Sequence, residues 1–303
     1  MKTVEIARPA GAAAMYLRAL RSSGKRPGAI EALPEVTYVR PQVVPESAHI
    51  ARYAKICGFG DAHGVPITYP QLLAFPLVMA FFCSADCPWP AMGTVHLANR
   101  IGQRQRLHAG DALRVELRTG RLFAHEKGQV FTLEINIAHG DDIVWEATQT
   151  LLRIGVSNPA GPAYSSELNA GGPTAQLESE APLSHQADFS AARNLGRRYG
   201  RVSGDLNPIH LSALSARLFG FRRAIAHGMW TKARALAALM PREGVAQATV
   251  AVEFKTPLYL PARASLWTNR EADGRLLRGA LFEVRNAGGD KPHLRGRLSL
   301  KPT

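Results

Sequence analysis

Cysteine, long apolar runs and acidic residues are all scarce in this sequence of 303 residues. Its three cysteines, Cys57, Cys83 and Cys87, are too few to form a disulfide framework. Cys83 and Cys87 have i, i+4 spacing, but no second pair of ligands follows at the distance typical of a zinc site. We therefore expect reduced thiols, no metal site and a cytoplasmic protein.

Apolar residues make up 46% of the chain, yet no run is long enough to form a transmembrane helix. The N-terminus also lacks the continuous apolar segment of a signal peptide. Residues 10–23 contain alanines and arginines in a pattern that could indicate a transit peptide. We favour instead a short helix that packs on the first domain, and we expect no membrane partner.

The shortage of acidic residues gives a formal net charge of +13, from 37 Lys and Arg against 24 Asp and Glu. Nucleic acid is one candidate partner, but the arginines are spread along the chain and form no known binding motif. A basic rim that attracts a small polyanion is the second explanation. The third is a solvated basic surface that has no partner.

Residues 203–210 read SGDLNPIH and bring a carboxylate, a carboxamide and an imidazole into one short stretch. Asn207 is a good helix N-cap, and Pro208 suits the first helical position because its missing N–H would be unpaired there anyway. His210 then lies in the first turn, and Asp205 lies in the loop just before the cap. The side chains of Asp205 and His210 can therefore face one small volume.

Two helices are predicted after this stretch. The first continues over 211–219 and stops at Gly220, which suits a left-handed residue after a helix. The second covers 229–240 and begins near Gly228, where free backbone N–H groups and the positive end of the helix dipole are available. An acid/base pair facing such an N–H is what enolate chemistry next to a carbonyl needs.

Residues 199–210 read YGRVSGDLNPIH, and Gly220-Phe221 and then IAHGMW at 225–230 follow them. This series closely resembles the hydratase-2 motif of the MaoC-like dehydratases, the (R)-specific enoyl-CoA hydratases. The resemblance implies an α+β hotdog fold, in which an antiparallel sheet wraps around a long helix. It also implies a hydro-lyase that adds water in the syn sense to a trans-2-enoyl-CoA and gives an (R)-3-hydroxyacyl-CoA.

The resemblance assigns roles to four residues. Asp205 and His210 are expected to hold one water between them, with His210 as the acceptor of its proton and Asp205 as the donor to the α-carbon. Asn207 is expected either to orient the water or His210, or only to cap its helix. The N–H of Gly228 is expected to receive the thioester oxygen, whereas we expect His227 to be a structural residue at the helix start.

Internal similarity predicts two hotdog units that pack as a double hotdog with one joined sheet. We divide the chain into a leader helix region (1–35), a degenerate first unit (36–155), a linker rich in Gly, Pro and Ser (156–182) and a catalytic second unit (183–303). Each unit has an apolar helix followed by segments that suit strands. The predicted helices are 71–83 and 229–240, and the predicted strands are 94–99, 112–118, 129–137, 143–154, 249–255, 264–269, 276–285 and 293–300.

The first unit lacks the acid/base residues of the second. Val65 and Thr68 stand where the second unit has Asn207 and His210, and the same register puts His63 in the place of Asp205. Pro76 stands where the second unit has Gly228, and proline has no N–H to offer. We therefore expect one active site, in the second unit.

Apolar residues of the first long helix have two explanations that the sequence leaves open. In two-domain hydratases, a shortened first half leaves room for a long acyl chain. Side chains that could line such a tunnel are Leu72, Phe75, Met79 and Phe82, although core packing explains them equally well.

The reaction needs no metal or redox cofactor, because the thioester itself acidifies the α-carbon, and coenzyme A enters only as part of the substrate. Its phosphates fit the basic charge of the chain. We expect an acyl-CoA substrate, no nucleic-acid partner and a homodimer, which is common in this family. The alternatives are a dehydratase for acyl carrier protein or for branched or dicarboxylic acyl-CoA, a hotdog acyl-CoA thioesterase, and a non-catalytic basic scaffold that binds nucleic acid.

Overall fold

The structure is a computed structural model that describes residues 2–21, 24–25, 28–168, 182–273 and 276–301. Its helices are α1 (Ala12–Arg21), α2 (Ser47–Cys57), α3 (Pro70–Cys83), α4 (Leu195–Ser203), α5 (Pro208–Leu211), α6 (Ala213–Arg217) and α7 (Gly228–Leu239). Its strands are β1 (Lys2–Glu5), β2 (Val36–Val43), β3 (Thr94–Gln103), β4 (Leu113–His125), β5 (Gly128–His139), β6 (Asp142–Ile154), β7 (Ser184–Ala191), β8 (Gln247–Phe254), β9 (Ala262–Asp273), β10 (Leu276–Asn286) and β11 (Pro292–Lys301).

The strands form one sheet in the order β1-β2-β4-β5-β6-β3-β8-β11-β10-β9-β7. Strand β1 pairs with β2 in parallel, whereas the other neighbouring pairs are antiparallel. Strands β3 and β8 meet in the middle, with Ala98 opposite Glu253 and Gln103 opposite Ala248. This pairing joins the sheets of the two units into the single larger sheet that the repeat predicted.

The two long helices α3 and α7 pack against this sheet. Helix α3 contacts β2, β4 and β5, and α7 contacts β10 and β11. Helix α3 is apolar on nearly every side, which is the pattern of a fully buried helix, and Leu77 and Phe81 are completely buried. Two central helices wrapped by one antiparallel sheet match the predicted α+β double hotdog.

The helix predicted over 211–219 is wrong in one respect, because the structure has two short helices there. Ser212 has extended backbone (φ −156°), and its Oγ accepts a hydrogen bond from Ser215 N at 3.0 Å, which starts α6 anew. The left-handed residue predicted at Gly220 is confirmed (φ 83°), and Phe221 N donates to Ala216 O across it.

The leader forms β1 and α1, and α1 packs on α3 through Met15, Ala19 and Met79. The predicted linker is described only over 156–168 and at 182; residues 169–181 lie outside the described part of the chain. The division into domains therefore stays a prediction. Within the described ranges, none of the helices has the length and apolar character needed to span a membrane.

Candidate active site

Asp205 lies in a loop that two glycines of α4 allow to come close to that helix. A Cβ on Gly196 would lie 1.9 Å from the carbonyl oxygen of His210, and a Cβ on Gly200 would lie 2.7 Å from the carbonyl oxygen of Asp205. Both distances are too short for any side chain. The two glycines therefore let the loop and α5 rest directly against the α4 backbone, although each costs about 1 kcal/mol of helix propensity relative to Ala.

The segment between Asp205 and His210 is fixed by local hydrogen bonds. Asn207 caps α5, because its Oδ1 accepts a hydrogen bond from Ile209 N at 3.3 Å. Its own N–H donates to Asp205 Oδ1 at 3.1 Å. The structure thus assigns the carboxamide of Asn207 to capping, while the role in orienting water or His210 stays a prediction.

His210 and His227 stack face to face beside Asp205. Their ring centroids are 3.6 Å apart, and the ring planes make an angle of 25°. His210 Nδ1 donates to Ile225 O at 2.8 Å, so its Nε2 carries the free lone pair. His227 Nε2 donates to the backbone oxygen of Asp205 at 3.0 Å and lies 3.7 Å from its Oδ2. His227 therefore joins the cluster from its position at the start of α7, and the structural role expected from the sequence stays a prediction.

Burial controls the protonation of the cluster. The side chains of His210 and His227 are 8% and 3% exposed, and desolvation lowers the pKa of both imidazoles below the usual value. Burial alone would raise the pKa of Asp205, but the charges of His227 and His210 and the hydrogen bonds from Tyr16 and the Asn207 N–H outweigh it. The net effect lowers the pKa of this carboxyl, so near neutral pH the cluster holds a carboxylate and two neutral imidazoles.

Tyr16 is a member of this cluster that sequence reasoning missed. Its hydroxyl donates to Asp205 Oδ1 from helix α1, 189 positions away in the chain. His96, on β3, is the second unpredicted residue: its ring lies 4.9 Å from that of Phe254, and the charge of Asp205 acts on its pKa. The leader and the first unit therefore contribute side chains to the surroundings of Asp205 and His210, which belong to the second unit.

Gly228 is the first residue of α7, and its packing also requires glycine. A Cβ at this position would lie 2.8 Å from the Cδ1 and Cε1 atoms of the Phe254 ring. The predicted role of its N–H toward a thioester oxygen stays a prediction, because helix position and close packing account for the residue equally well.

The four apolar residues proposed for an acyl tunnel separate into two pairs. Phe75 and Met79 face the leader helix, and Phe75 Cδ1 lies 3.4 Å from the Cβ position of Gly204, the residue before Asp205. Leu72 and Phe82 belong to the main core, where the rings of Phe82 and Phe131 are 6.3 Å apart. Of these four residues, Phe75 is the one that approaches the loop of Asp205.

The counterpart of this cluster in the first unit has a different arrangement. Thr68 is fully buried, and its Oγ1 accepts a hydrogen bond from Tyr53 at 2.8 Å. Pro76 lies inside α3, so no helix begins there. Helix α2 is followed by the left-handed glycine Gly58, and α4 is followed by the left-handed glycine Gly204. When these two glycines are matched, Phe59 takes the place of Asp205, which the sequence register had given to His63. His63 lies further along, in a longer loop that lines a cavity of about 360 Å³.

One ligand atom each from Asp205, His210 and His227 lies within 4.8 Å of the other two, which is close enough for a metal site. A nitrogen lone pair lies in the plane of its imidazole ring. Two rings stacked nearly parallel point their lone pairs side by side and not toward one shared ion. The geometry therefore suits acid/base chemistry better than metal coordination.

Comparisons with known proteins identify the family of this chain. A sequence profile described as "MaoC like domain" matches residues 174–274, which contain Asp205, Asn207, His210 and Gly228. The chain is 34% identical over 265 residues to the 3-hydroxyacyl-thioester dehydratase X of Mycobacterium tuberculosis, covering 86% of this chain and 88% of that protein. The crystal structure of HtdX from the same organism aligns with a TM-score of 0.70 and 31% identity over 88% of this chain and 100% of that one.

More distant structures show the fold alone. A MaoC-like dehydratase from Phytophthora capsici aligns with a TM-score of 0.69 and 18% identity over 89% of this chain and 96% of that chain. A Mycobacterium tuberculosis protein described as having a double hotdog fold aligns with a TM-score of 0.54 and 13% identity over 86% of this chain and 93% of that chain.

Proposed function

Because this chain belongs to the MaoC-like dehydratases, we propose that it catalyses the reversible (R)-specific hydration of trans-2-enoyl-CoA to (R)-3-hydroxyacyl-CoA. The relative named 3-hydroxyacyl-thioester dehydratase X supports a thioester substrate. Coenzyme A as the carrier and the (R) configuration are parts of the proposal.

One observation carries the proposal: an oxygen of Asp205 and a ring nitrogen of His210 lie within 4.8 Å of each other. Two hydrogen bonds of about 2.8 Å that meet at one water span at most about 5.6 Å, so a single water can bridge two atoms this close. One water can then donate to both groups and keep a lone pair for the substrate. The proximity therefore suits an attacking water that is held between an imidazole base and a carboxylate.

In the proposed mechanism, one proton of the water is transferred through the two side chains to C2 of the substrate. The water oxygen bonds to C3 of the enoyl group while His210 Nε2 accepts the water proton, and the electron pair of the double bond moves onto the thioester as an enolate. Burial lowers the pKa of His210, so the imidazolium readily gives up its proton. The imidazolium transfers this proton to the Asp205 carboxylate, and Asp205 then delivers it to C2 as the enolate collapses, so both side chains return to their starting states.

The enolate oxygen needs a donor during this step. The N–H of Gly228 at the start of α7 supplies it in our proposal, with help from the positive end of the helix dipole. His227 is then a positioning residue, because its ring stacks on His210 and fixes the plane of the base.

The test is incubation with trans-2-enoyl-CoA esters of several chain lengths, followed by chiral analysis of the 3-hydroxyacyl product. A parallel thiol assay measures the release of free coenzyme A. We expect loss of the conjugated enoyl absorbance, an (R) product and no thiol release, with Asp205→Asn as the inactive control.

Two outcomes would contradict the proposal. Thiol release without hydration would make the chain a thioesterase that uses the same carboxylate on the thioester carbon. Turnover of enoyl groups on acyl carrier protein, with none on coenzyme A, would correct the carrier and leave the chemistry in place.

A further inference from the structure

The leader is fastened to the first unit on both sides of helix α1. Before the helix, β1 pairs with β2, and Lys2 Nζ forms an ion pair with Asp86 at 2.9 Å. After the helix, Lys25 Nζ donates to the carbonyl oxygen of Cys87 at 2.9 Å and to that of Ser84, just beyond the end of α3. These contacts hold the helix in one place over the second unit's acid/base pair.

Helix α1 turns its apolar face toward α3 and the catalytic loop. Met15 and Ala19 are 8% and 1% exposed and pack on Met79, and Leu17 on the opposite side is 54% exposed. Tyr16 lies beside this buried face, and its hydroxyl reaches Asp205 Oδ1. Helix position and packing therefore direct one polar atom of the leader to the catalytic carboxylate.

Two donors meet at the same oxygen of Asp205. Oδ1 accepts from the Tyr16 hydroxyl and from the Asn207 N–H, while Oδ2 lies 3.7 Å from His227 Nε2. The carboxylate is 29% exposed on its side chain and would otherwise rotate between rotamers. These two hydrogen bonds fix the position of Oδ1, so the carboxylate is oriented with Oδ2 toward the imidazoles and the proposed water.

Two kinds of interaction lower the pKa of Asp205: first the charges of His227 and His210 when these rings are protonated, and then the hydrogen bonds from Tyr16 and the Asn207 N–H. The titratable side chains that act on Asp205 are Tyr16 from α1, His210 from α5, His227 at the start of α7, His96 from β3 and Tyr199 from α4. Burial lowers the pKa of the three histidines, so they are neutral near pH 7 and supply no charge. Burial and the Asp205 charge also keep Tyr16 protonated by raising its pKa far above the usual value, so it remains a donor.

We infer that Tyr16 of the leader helix is a positioning residue for the reaction, which holds the Asp205 carboxylate ionised and turned toward the water shared with His210. This inference rests on the proposed function. It makes the leader a functional part of the active site, so the site combines helix α1 of the leader with the catalytic loop of the second unit.

The test is Tyr16→Phe, which keeps the ring and removes only the hydroxyl. We expect kcat on a short trans-2-enoyl-CoA to fall by about tenfold or more, because a hydrogen bond to a charged group is lost. KM should change little. The acid limb of the profile of kcat against pH should move to higher pH, because the ionised carboxylate loses a donor.

Tyr38→Phe is the matched control. Its hydroxyl donates to Asp86 Oδ2 at 3.0 Å, so this variant also removes one Tyr–Asp hydrogen bond from a well-packed ring, away from the catalytic loop. We expect wild-type kcat and an unchanged acid limb. An equal loss in both variants would mean that the effect of Tyr16 is only structural and would overturn the inference.

A second measurement keeps the inference separate from the proposed function. The 13C resonance of the Asp205 carboxyl, followed against pH in the wild type and in Tyr16→Phe, reports its ionisation without any substrate. A titration that moves to higher pH in the variant supports the inference even if the wild type turns over no enoyl thioester. An unchanged titration, or a variant that is more active than the wild type, would overturn it, since Tyr16 would then be inert or would block the site.

Discussion

Replacing Asp205 and His210 singly and together tests whether the two side chains act on one shared water. Asp205→Asn keeps the size of the side chain and removes its charge, and His210→Ala removes the base. Each group is a general acid or base in the proposed mechanism, and such groups typically contribute about 10²–10⁴ in rate. Each single variant should therefore lose about 10³ in kcat/KM, which corresponds to about 4 kcal/mol of transition-state stabilisation.

The double variant distinguishes a shared water from two independent roles. Independent contributions would add to about 8 kcal/mol, or about 10⁶ in rate. Atoms within 4.8 Å of each other can hold one water, and in the proposed mechanism removing either group disables the same step. We therefore expect the double variant to be about as slow as either single variant, with a coupling energy of about 4 kcal/mol.

The assay is steady-state hydration of a short trans-2-enoyl-CoA, with far-UV circular dichroism to show that each variant is folded. The exposed pair His185 and Asp188 is the matched control, since His185 Nε2 lies 2.9 Å from Asp188 Oδ1 on the surface. His185→Ala with Asp188→Asn should leave kcat/KM unchanged. Losses that add across the Asp205 and His210 cycle would refute the shared water.

Three further predictions concern stability, the first unit and the glycines of α4. Burial lowers the pKa of His96 to about 4 and that of His210 to about 3, so the unfolded chain binds more protons below pH 6.5 and stability falls as the pH falls. The free energy of unfolding in urea should be about 4 kcal/mol lower at pH 5 than at pH 7. In the His96→Asn variant, the difference between the two pH values should be about half as large. Equal stability at both pH values would contradict the buried neutral rings. His63→Ala and Thr68→Ala should leave turnover of a short enoyl-CoA nearly unchanged, whereas a large loss of kcat in a folded His63→Ala variant would contradict the single site. Gly196→Ala should reduce kcat strongly, because its Cβ overlaps the His210 carbonyl oxygen, and wild-type kinetics would contradict that close approach.

The proximity of Asp205 and His210 was predictable from the sequence because its signals are local. Asn207 and Pro208 begin a helix in the manner that their chemistry favours, so His210 falls in its first turn and Asp205 in the loop before it. The two central helices and the strands with alternating apolar residues were equally accessible. Each depends on a period that a short stretch of sequence displays.

Tyr16 and His227 were not predictable because long-range packing determines their roles. Tyr16 lies 189 positions from Asp205, and no pattern within the leader indicates which unit it contacts. His227 was assigned to the start of a helix, and only the folded chain brings its ring within 3.6 Å of His210. Side chains that meet through tertiary contacts leave no periodic signal in a single sequence.

Helices α2 and α4 were missed for a different reason. Helix α4 reads LGRRYGRVS, in which glycines and arginines hide the apolar period. A comparison of the units reveals it, since Tyr53 and Tyr199 occupy the same place, five residues before the left-handed glycines Gly58 and Gly204. Their ring centroids are 6.1 Å apart, at the contact between the two units.

Hydration of a trans-2-enoyl-CoA in D₂O, with NMR analysis of the configuration at C2 and C3 of the product, tests the central claim most directly. In the proposed mechanism, one water held between Asp205 and His210 would add oxygen and deuterium to the same face of the double bond. The account predicts a single product with the (R) configuration at C3 and deuterium at C2 on the same side as the new hydroxyl. An (S) hydroxyl, or deuterium distributed over both faces of C2, would contradict it.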